Sequence, residues 1–146
     1  MTKQLERFSL DPSAPTLYLG FSGVLHVGEG FVDAEGTVTL DTGNEPFEMA
    51  RYRIDALKPY PDEQLILTTS WSWTLGEEKT ASLLPFPPRE QVAGTTLNFP
   101  PRFGEIRNRA GRTGSILRHV VAFEIRKWLA IGDDLHGVPK RHRKTE

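Results

Sequence analysis

The chain has no cysteine among its 146 residues, which removes disulfides, thiolate metal sites and cysteine nucleophiles from consideration. No apolar run approaches ~20 residues, so no membrane span is expected. The opening stretch Met1-Thr2-Lys3-Gln4-Leu5-Glu6-Arg7 carries no apolar h-region and does not read as a secretory signal. Together with the missing cysteines, this fits a cytoplasmic protein. There is no Gly-x-x-x-x-Gly-Lys phosphate loop, no dinucleotide fingerprint and no pair of histidines flanking a glutamate at metal-binding spacing. Gly20-Phe21-Ser22-Gly23-Val24 misses the Gly-x-Ser-x-Gly nucleophile elbow by one position, because Val24 stands where glycine is required. A triad also needs an acid and a distant histidine, and His136 lies only three residues beyond Asp133. No internal repeat is visible.

What is present is an ordinary globular composition, 38% hydrophobic and 25% charged, in a chain long enough for one domain with a real core. The net charge of −1 conceals an asymmetry. Residues 1–101 hold 7 Lys/Arg against 14 Asp/Glu, while residues 102–146 hold 11 against 5. A basic C-terminal third attracts phosphate or nucleic acid, or else the two halves pack together and their charges interleave on one mixed surface.

Residues 1–15 form a polar lead-in with a turn between Pro12 and Pro15. Thr16 to Phe21 is the first predicted strand, an apolar run entering a Gly turn. Residues 26–45 are rich in glycine and acids, with a short strand or hairpin arm at Thr37-Val38-Thr39-Leu40. Asn44 and Pro46 open a helix whose Phe47, Ala50, Ile54 and Leu57 share one face, and Pro59 and Pro61 stop it. Leu65-Ile66-Leu67 is a second buried strand. Residues 77–84 read as a short helix, Arg89 to Ala93 as a helical turn, Thr95-Thr96-Leu97 as a short strand, and the region of Pro100, Pro101 and Gly104 as a loop. A helix from Thr113 places Ile116, Leu117, Val120 and Val121 on its apolar stripe. Lys127 to Ile131 is the last strand, with Trp128 in the core, and Lys140 to Lys144 is a frayed basic tail. Strands alternating with helices predict an α/β fold, a parallel sheet covered on both faces. Such sheets bind ligands at the carboxyl ends of their strands, where the Gly20, Thr68–Trp73 and Gly132–Asp134 segments all fall.

Four segments, in order, resemble the motifs of the haloacid dehalogenase-like (HAD) superfamily. Gly20 to His26 is similar to the first motif, usually an apolar strand followed by Asp-x-Asp-Gly-Val-Leu. Leu65 to Trp71 is similar to the second, an apolar strand ending in a hydroxyl residue. Arg112 matches a basic residue ahead of the next helix. Trp128-Leu129-Ala130-Ile131-Gly132-Asp133-Asp134 is similar to the acidic motif that holds Mg²⁺. The Val-Leu-His flank, the Thr-x-Trp spacing and the Trp-Leu-Ala-Ile strand resemble most closely the HAD domain of the Swiss Army Knife RNA-repair proteins. The resemblance spans roughly residues 16–139. It implies a single domain with a three-layer Rossmann-like core, with residues 1–15 and 140–146 outside that core and at most a small cap insert.

In that superfamily the first aspartate of motif one attacks phosphorus and the second is the general acid/base. Here the two positions carry Gly20 and Ser22. The resemblance therefore implies a phosphohydrolase scaffold without its catalytic pair, a vestigial site of Gly20, Ser22, Thr69 and Arg112. Ser22, Gly23, Thr69, Ser70 and Arg112 are the expected ligand-binding residues, with Asp133 and Asp134 as a weakened Mg²⁺ site. Three functions follow. The first is a catalytically inactive protein that binds a phosphorylated small molecule, a nucleic acid or a protein. The second is a Mg²⁺-dependent hydrolase with altered chemistry, using Asp133 and Asp134 with Glu29 or Asp33 to activate water. The third is an interaction module. Trp71 and Trp73 share a face if extended and either pack under the loop or stack bases.

Overall fold

A computed structural model describes residues 10–20, 30–32, 35, 37–40, 62–68, 72, 75–82, 88–108, 110–131, 138 and 140–144. The apolar runs behave as interior strands. In β1 (Thr16–Leu19) and β4 (Gln64–Leu67) every residue is buried, so neither strand has a solvent face, the mark of a parallel sheet covered on both sides. β2 (Gly30–Val32) and β3 (Val38–Leu40) pair antiparallel as a separate two-stranded unit between β1 and β4. This small insert includes the arm expected at 37–40. β5 (Val92–Thr95), β6 (Trp128–Ile131) and β7 (Arg143–Lys144) complete a five-stranded sheet of order β5-β4-β1-β6-β7, in which every pairing is parallel. The described helices are α1 (Glu77–Ser82), α2 (Pro88–Gln91), α3 (Phe103–Arg107) and α4 (Gly111–Phe123). The fold is α/β and Rossmann-like, as the sequence implied. Among the described residues no helix is long and apolar enough to cross a membrane.

The core lies between the sheet and α4. Tyr18, Ile66 and Ala130 sit at one level of three neighbouring strands, and Ala93, Ile116 and Val138 complete the cluster. Tyr18 is fully buried, and its hydroxyl lies 2.8 Å from Nδ1 of the buried His119. The pairing satisfies two polar groups that would otherwise be costly inside an apolar layer. The rings of Tyr18 and Trp128 meet edge to face at 5.7 Å, so Trp128 packs on the core while remaining half-buried.

Several elements differ from expectation, each because a tertiary contact outweighs local preference. The tail is not frayed. A 3₁₀ turn at Lys140–His142 leads into β7, which pairs with Ala130 and Ile131 of β6. The His142 ring stacks on Trp128 at 4.1 Å, and its Nδ1 lies 2.9 Å from the Trp128 carbonyl. The strand expected at 95–97 is instead Val92–Thr95, because pairing of Val92, Gly94 and Thr95 with β4 sets its register. Thr96 to Phe99 form a turn closed by the Phe99 amide donating to the Thr96 carbonyl (2.9 Å). The loop expected near Gly104 contains α3. There the Arg102 amide donates to Glu105 (2.7 Å), closing the first turn, and Arg118 of α4 clasps both oxygens of the same carboxylate (2.9 and 3.1 Å). Gly114 makes this possible, because a Cβ there would overlap the Glu105 carboxylate. The stripe of α4 is also rotated. Ile116 is buried and Val120 partly so, but Leu117 and Val121 are 37% and 76% exposed, and Thr113, Ser115 and His119 face inward instead. The helix expected over 47–57 lies outside the described residues.

Two predictions follow from buried polar groups. Burial holds His119 well below the usual imidazole range, at about 4. The folded state therefore excludes a proton that the unfolded chain takes up near 6.5, so stability is complete above the unfolded value and is lost as pH falls toward 4. Between pH 8 and pH 5 this group should cost about 2 kcal/mol. Urea unfolding at both pH values, compared with His119→Met, should show that loss in the parent chain and not in the variant. At the other end of the sheet, the buried Glu77 carboxylate accepts from the Thr95 hydroxyl (2.7 Å) and amide (3.2 Å), bracing α1 against β5. Thr95→Val leaves that carboxylate short of a partner and should lower unfolding free energy by about 2 kcal/mol.

Candidate functional site

The carboxyl ends of the central strands finish level. Leu19 pairs with Leu67 on one side and Ile131 on the other, and Leu67 pairs with Thr95. One residue further on, the Gly20 amide donates to the Ile131 carbonyl, the Thr68 amide to that of Leu19 and the Thr96 amide to that of Leu67, each at 3.0 Å. The residues leaving β1, β4 and β5 therefore form one row along the rim. β1 leads by way of β4 to β5 on one side of the sheet, whereas β6 lies on its other side. The order reverses between β1 and β6, the position at which open α/β sheets bind ligands.

Gly20 is buried in this row. A Cβ at Gly20 would lie 3.0 Å from Nη1 of Arg112, 3.6 Å from Oγ1 of Thr68 and 3.7 Å from the Ile131 carbonyl oxygen. The space in which a side chain at position 20 would begin is thus bordered by a guanidinium and a hydroxyl. Arg112 is in the first turn of α4. Its Nη1 is shielded from solvent, and the side chain has further interactions within the fold. Glycine at 20 matters for close approach: even a methyl group would be tighter against Nη1 than ordinary packing allows.

The structure thus brings together Gly20 and Arg112, which are 92 positions apart in the chain. It adds Thr68, the neighbour of the expected Thr69. Thr68 was missed because it closes the same apolar run as Thr69 and carries no signal of its own in the sequence. Ser22, Gly23, Thr69, Ser70, Asp133 and Asp134 lie outside the described residues, as do Glu29, Asp33, Trp71 and Trp73.

The chemistry of the described rim suits an oxyanion. A guanidinium presents fixed N–H donors that match phosphate geometry, and a threonine hydroxyl donates or accepts. The first turn of a helix carries a partial positive charge, and α4 begins within one arginine side chain of Gly20. A divalent cation wants the opposite, carboxylate and carbonyl oxygens in an octahedral set. Around Gly20 the described side chains supply one hydroxyl and one positive charge. Among the described residues there is no group of three or more His, Asp or Glu placed to hold a metal. Asp133 and Asp134, the residues expected to hold Mg²⁺, lie outside the described residues.

No curated protein and no solved structure matches the chain. A family model does, over residues 16–146, and its description is the HAD domain in Swiss Army Knife RNA repair proteins. The match takes in all five strands of the parallel sheet, β7 included. On that match and on the Rossmann-like sheet with its level rim, the chain belongs to the family of HAD domains found in Swiss Army Knife RNA repair proteins.

Proposed function

We propose that this domain binds a phosphorylated ligand at the rim formed by Gly20, Thr68 and Arg112 and does not turn it over through an aspartyl-phosphate. The observation that carries this reading is the 3.0 Å between Arg112 Nη1 and the Cβ position of Gly20. A covalent phosphatase needs a nucleophile at that position to split hydrolysis into two steps. Gly20 offers none, and Ser22, where the general acid/base would stand, is no carboxylic acid. What remains is positioning and charge neutralisation, the part of phosphoryl chemistry that also serves binding. Arg112 neutralises, Thr68 orients and the start of α4 adds its partial positive charge.

The family's description places such domains in RNA repair proteins, so a terminal phosphate of RNA is the ligand we favour. The surplus of Lys and Arg in residues 102–146 supports that choice, because it supplies charge for the adjoining backbone phosphates.

The test uses the purified chain. With p-nitrophenyl phosphate and Mg²⁺ no turnover above the blank is expected, and turnover of about 1 s⁻¹ or more would contradict the reading. Such turnover, abolished by Asp133→Ala, would favour a Mg²⁺-dependent hydrolase using Asp133 and Asp134. A short RNA with a terminal phosphate should raise the melting temperature, through about 2.7 kcal/mol of stabilisation at a hundredfold excess over Kd. The rise should shrink as salt increases. A rise of equal size with the unphosphorylated RNA would remove the phosphate from the account.

A further inference from the structure

We propose that α3 is a stacking platform for single-stranded nucleic acid, with the exposed ring of Phe103 and the guanidinium of Arg107 receiving bases beside the rim. Resting on the phosphate-binding reading above, the rim takes the end of the strand and α3 takes the bases near that end.

The platform stands out first by exposure. Phe103 is 76% and Ile106 59% exposed, and the two are three positions apart on α3, neighbours on one face. Ile106 also lines an open pocket of about 380 Å³ with Leu97, Pro100 and Pro101. Single exposed apolar residues are ordinary, whereas a group of them marks a binding surface. The Arg107 guanidinium carbon lies 5.9 Å from the centroid of the Phe103 ring, within cation–π range. Ring and guanidinium are both flat, and each is a face on which any base stacks.

Charge selects nucleic acid over a protein occupant. Residues 102–109 hold three arginines and one glutamate. Arg102 and Arg107 are exposed, while the glutamate, Glu105, has both carboxylate oxygens held by Arg118. An aromatic flanked by arginines, whose neighbouring carboxylate is already paired, suits a polyanion that carries flat bases.

The platform also adjoins the rim. A Cβ at Gly111 would lie 3.2 Å from Pro101 Cβ and 3.7 Å from Ile106 Cγ1, so the pocket abuts the first residue of α4, and the next residue, Arg112, reaches Gly20. The Glu105–Arg118 pair ties α3 to α4, which fixes the platform before a strand arrives and lowers the ordering cost of binding.

The experiment follows binding of a labelled oligouridylate, about ten nucleotides long and ending in a phosphate, to the full chain by fluorescence anisotropy at low salt. The chain should bind it, and should bind an abasic strand of the same length and charge about tenfold more weakly. Phe103→Ala should weaken oligouridylate binding about tenfold with the salt dependence unchanged, because no charge is removed, while Phe103→Trp should keep the affinity. Phe103 is exposed, so these variants should melt with the parent chain. Equal affinity for the abasic strand, or full affinity in Phe103→Ala, would overturn the platform. Full affinity in Phe103→Leu would also overturn it, marking a plain apolar contact suited to a protein partner. No oligouridylate binding, with inorganic phosphate still raising the melting temperature, would overturn the platform and leave the phosphate-binding reading in place. No effect of either ligand would overturn both.

Discussion

The structure depends on the level, parallel pairing of β1 with β4 and β6. Leu19 lies opposite both Leu67 and Ile131, and this register is strongly specified because both faces are buried. A slip of one residue would turn Tyr18 away from His119 and exchange the apolar faces of the whole strand. The same register puts Gly20 and Thr68 at one height above the sheet. The core and the candidate site are therefore two results of one packing constraint: strands that bury leucines and isoleucines in register deliver their loops to a common rim.

What the rim then does depends on charge. The described part of this rim gathers a guanidinium, a hydroxyl and a helix start around a glycine. Gly20 and Arg112 are complementary in space as well as in chemistry. With no side chain at 20, the space beside Nη1 is bordered by a guanidinium and a hydroxyl, groups whose chemistry suits an oxyanion. Neither residue alone carries that meaning. A glycine after a strand is common in turns, and an arginine in the first turn of a helix is usually a solvated side chain.

The strongest signals in the sequence were the runs Leu17-Tyr18-Leu19, Leu65-Ile66-Leu67 and Leu129-Ala130-Ile131, each too apolar for a strand with a wet face. They were enough to place the parallel sheet and the rim at the carboxyl ends of its strands. Gly20 and Arg112 were also legible, by their places in an ordered set of motifs. Elements whose stability comes from partners were not. β7 needs Trp128 as a platform for His142, α3 needs Arg118 and the gap at Gly114 to hold Glu105, and β5 takes its register from β4 rather than from its own pattern of small residues. The inward face of α4 escaped for a related reason. His119 is buried because Tyr18 satisfies it, and hydrophobic periodicity does not register a polar residue that has a partner.

The central claim, that Arg112 borders the space a side chain at Gly20 would enter, is tested most directly by a double-mutant cycle on stability with Gly20→Ala, Arg112→Ala and both together. The effect of the glycine on the unfolded chain cancels in the cycle. In the parent background the added methyl should be penalised by crowding of order 1 kcal/mol. In the Arg112→Ala background that penalty should disappear, giving a coupling of similar size. Additive effects within about 0.3 kcal/mol would mean that the two positions do not share the space, and would contradict the account.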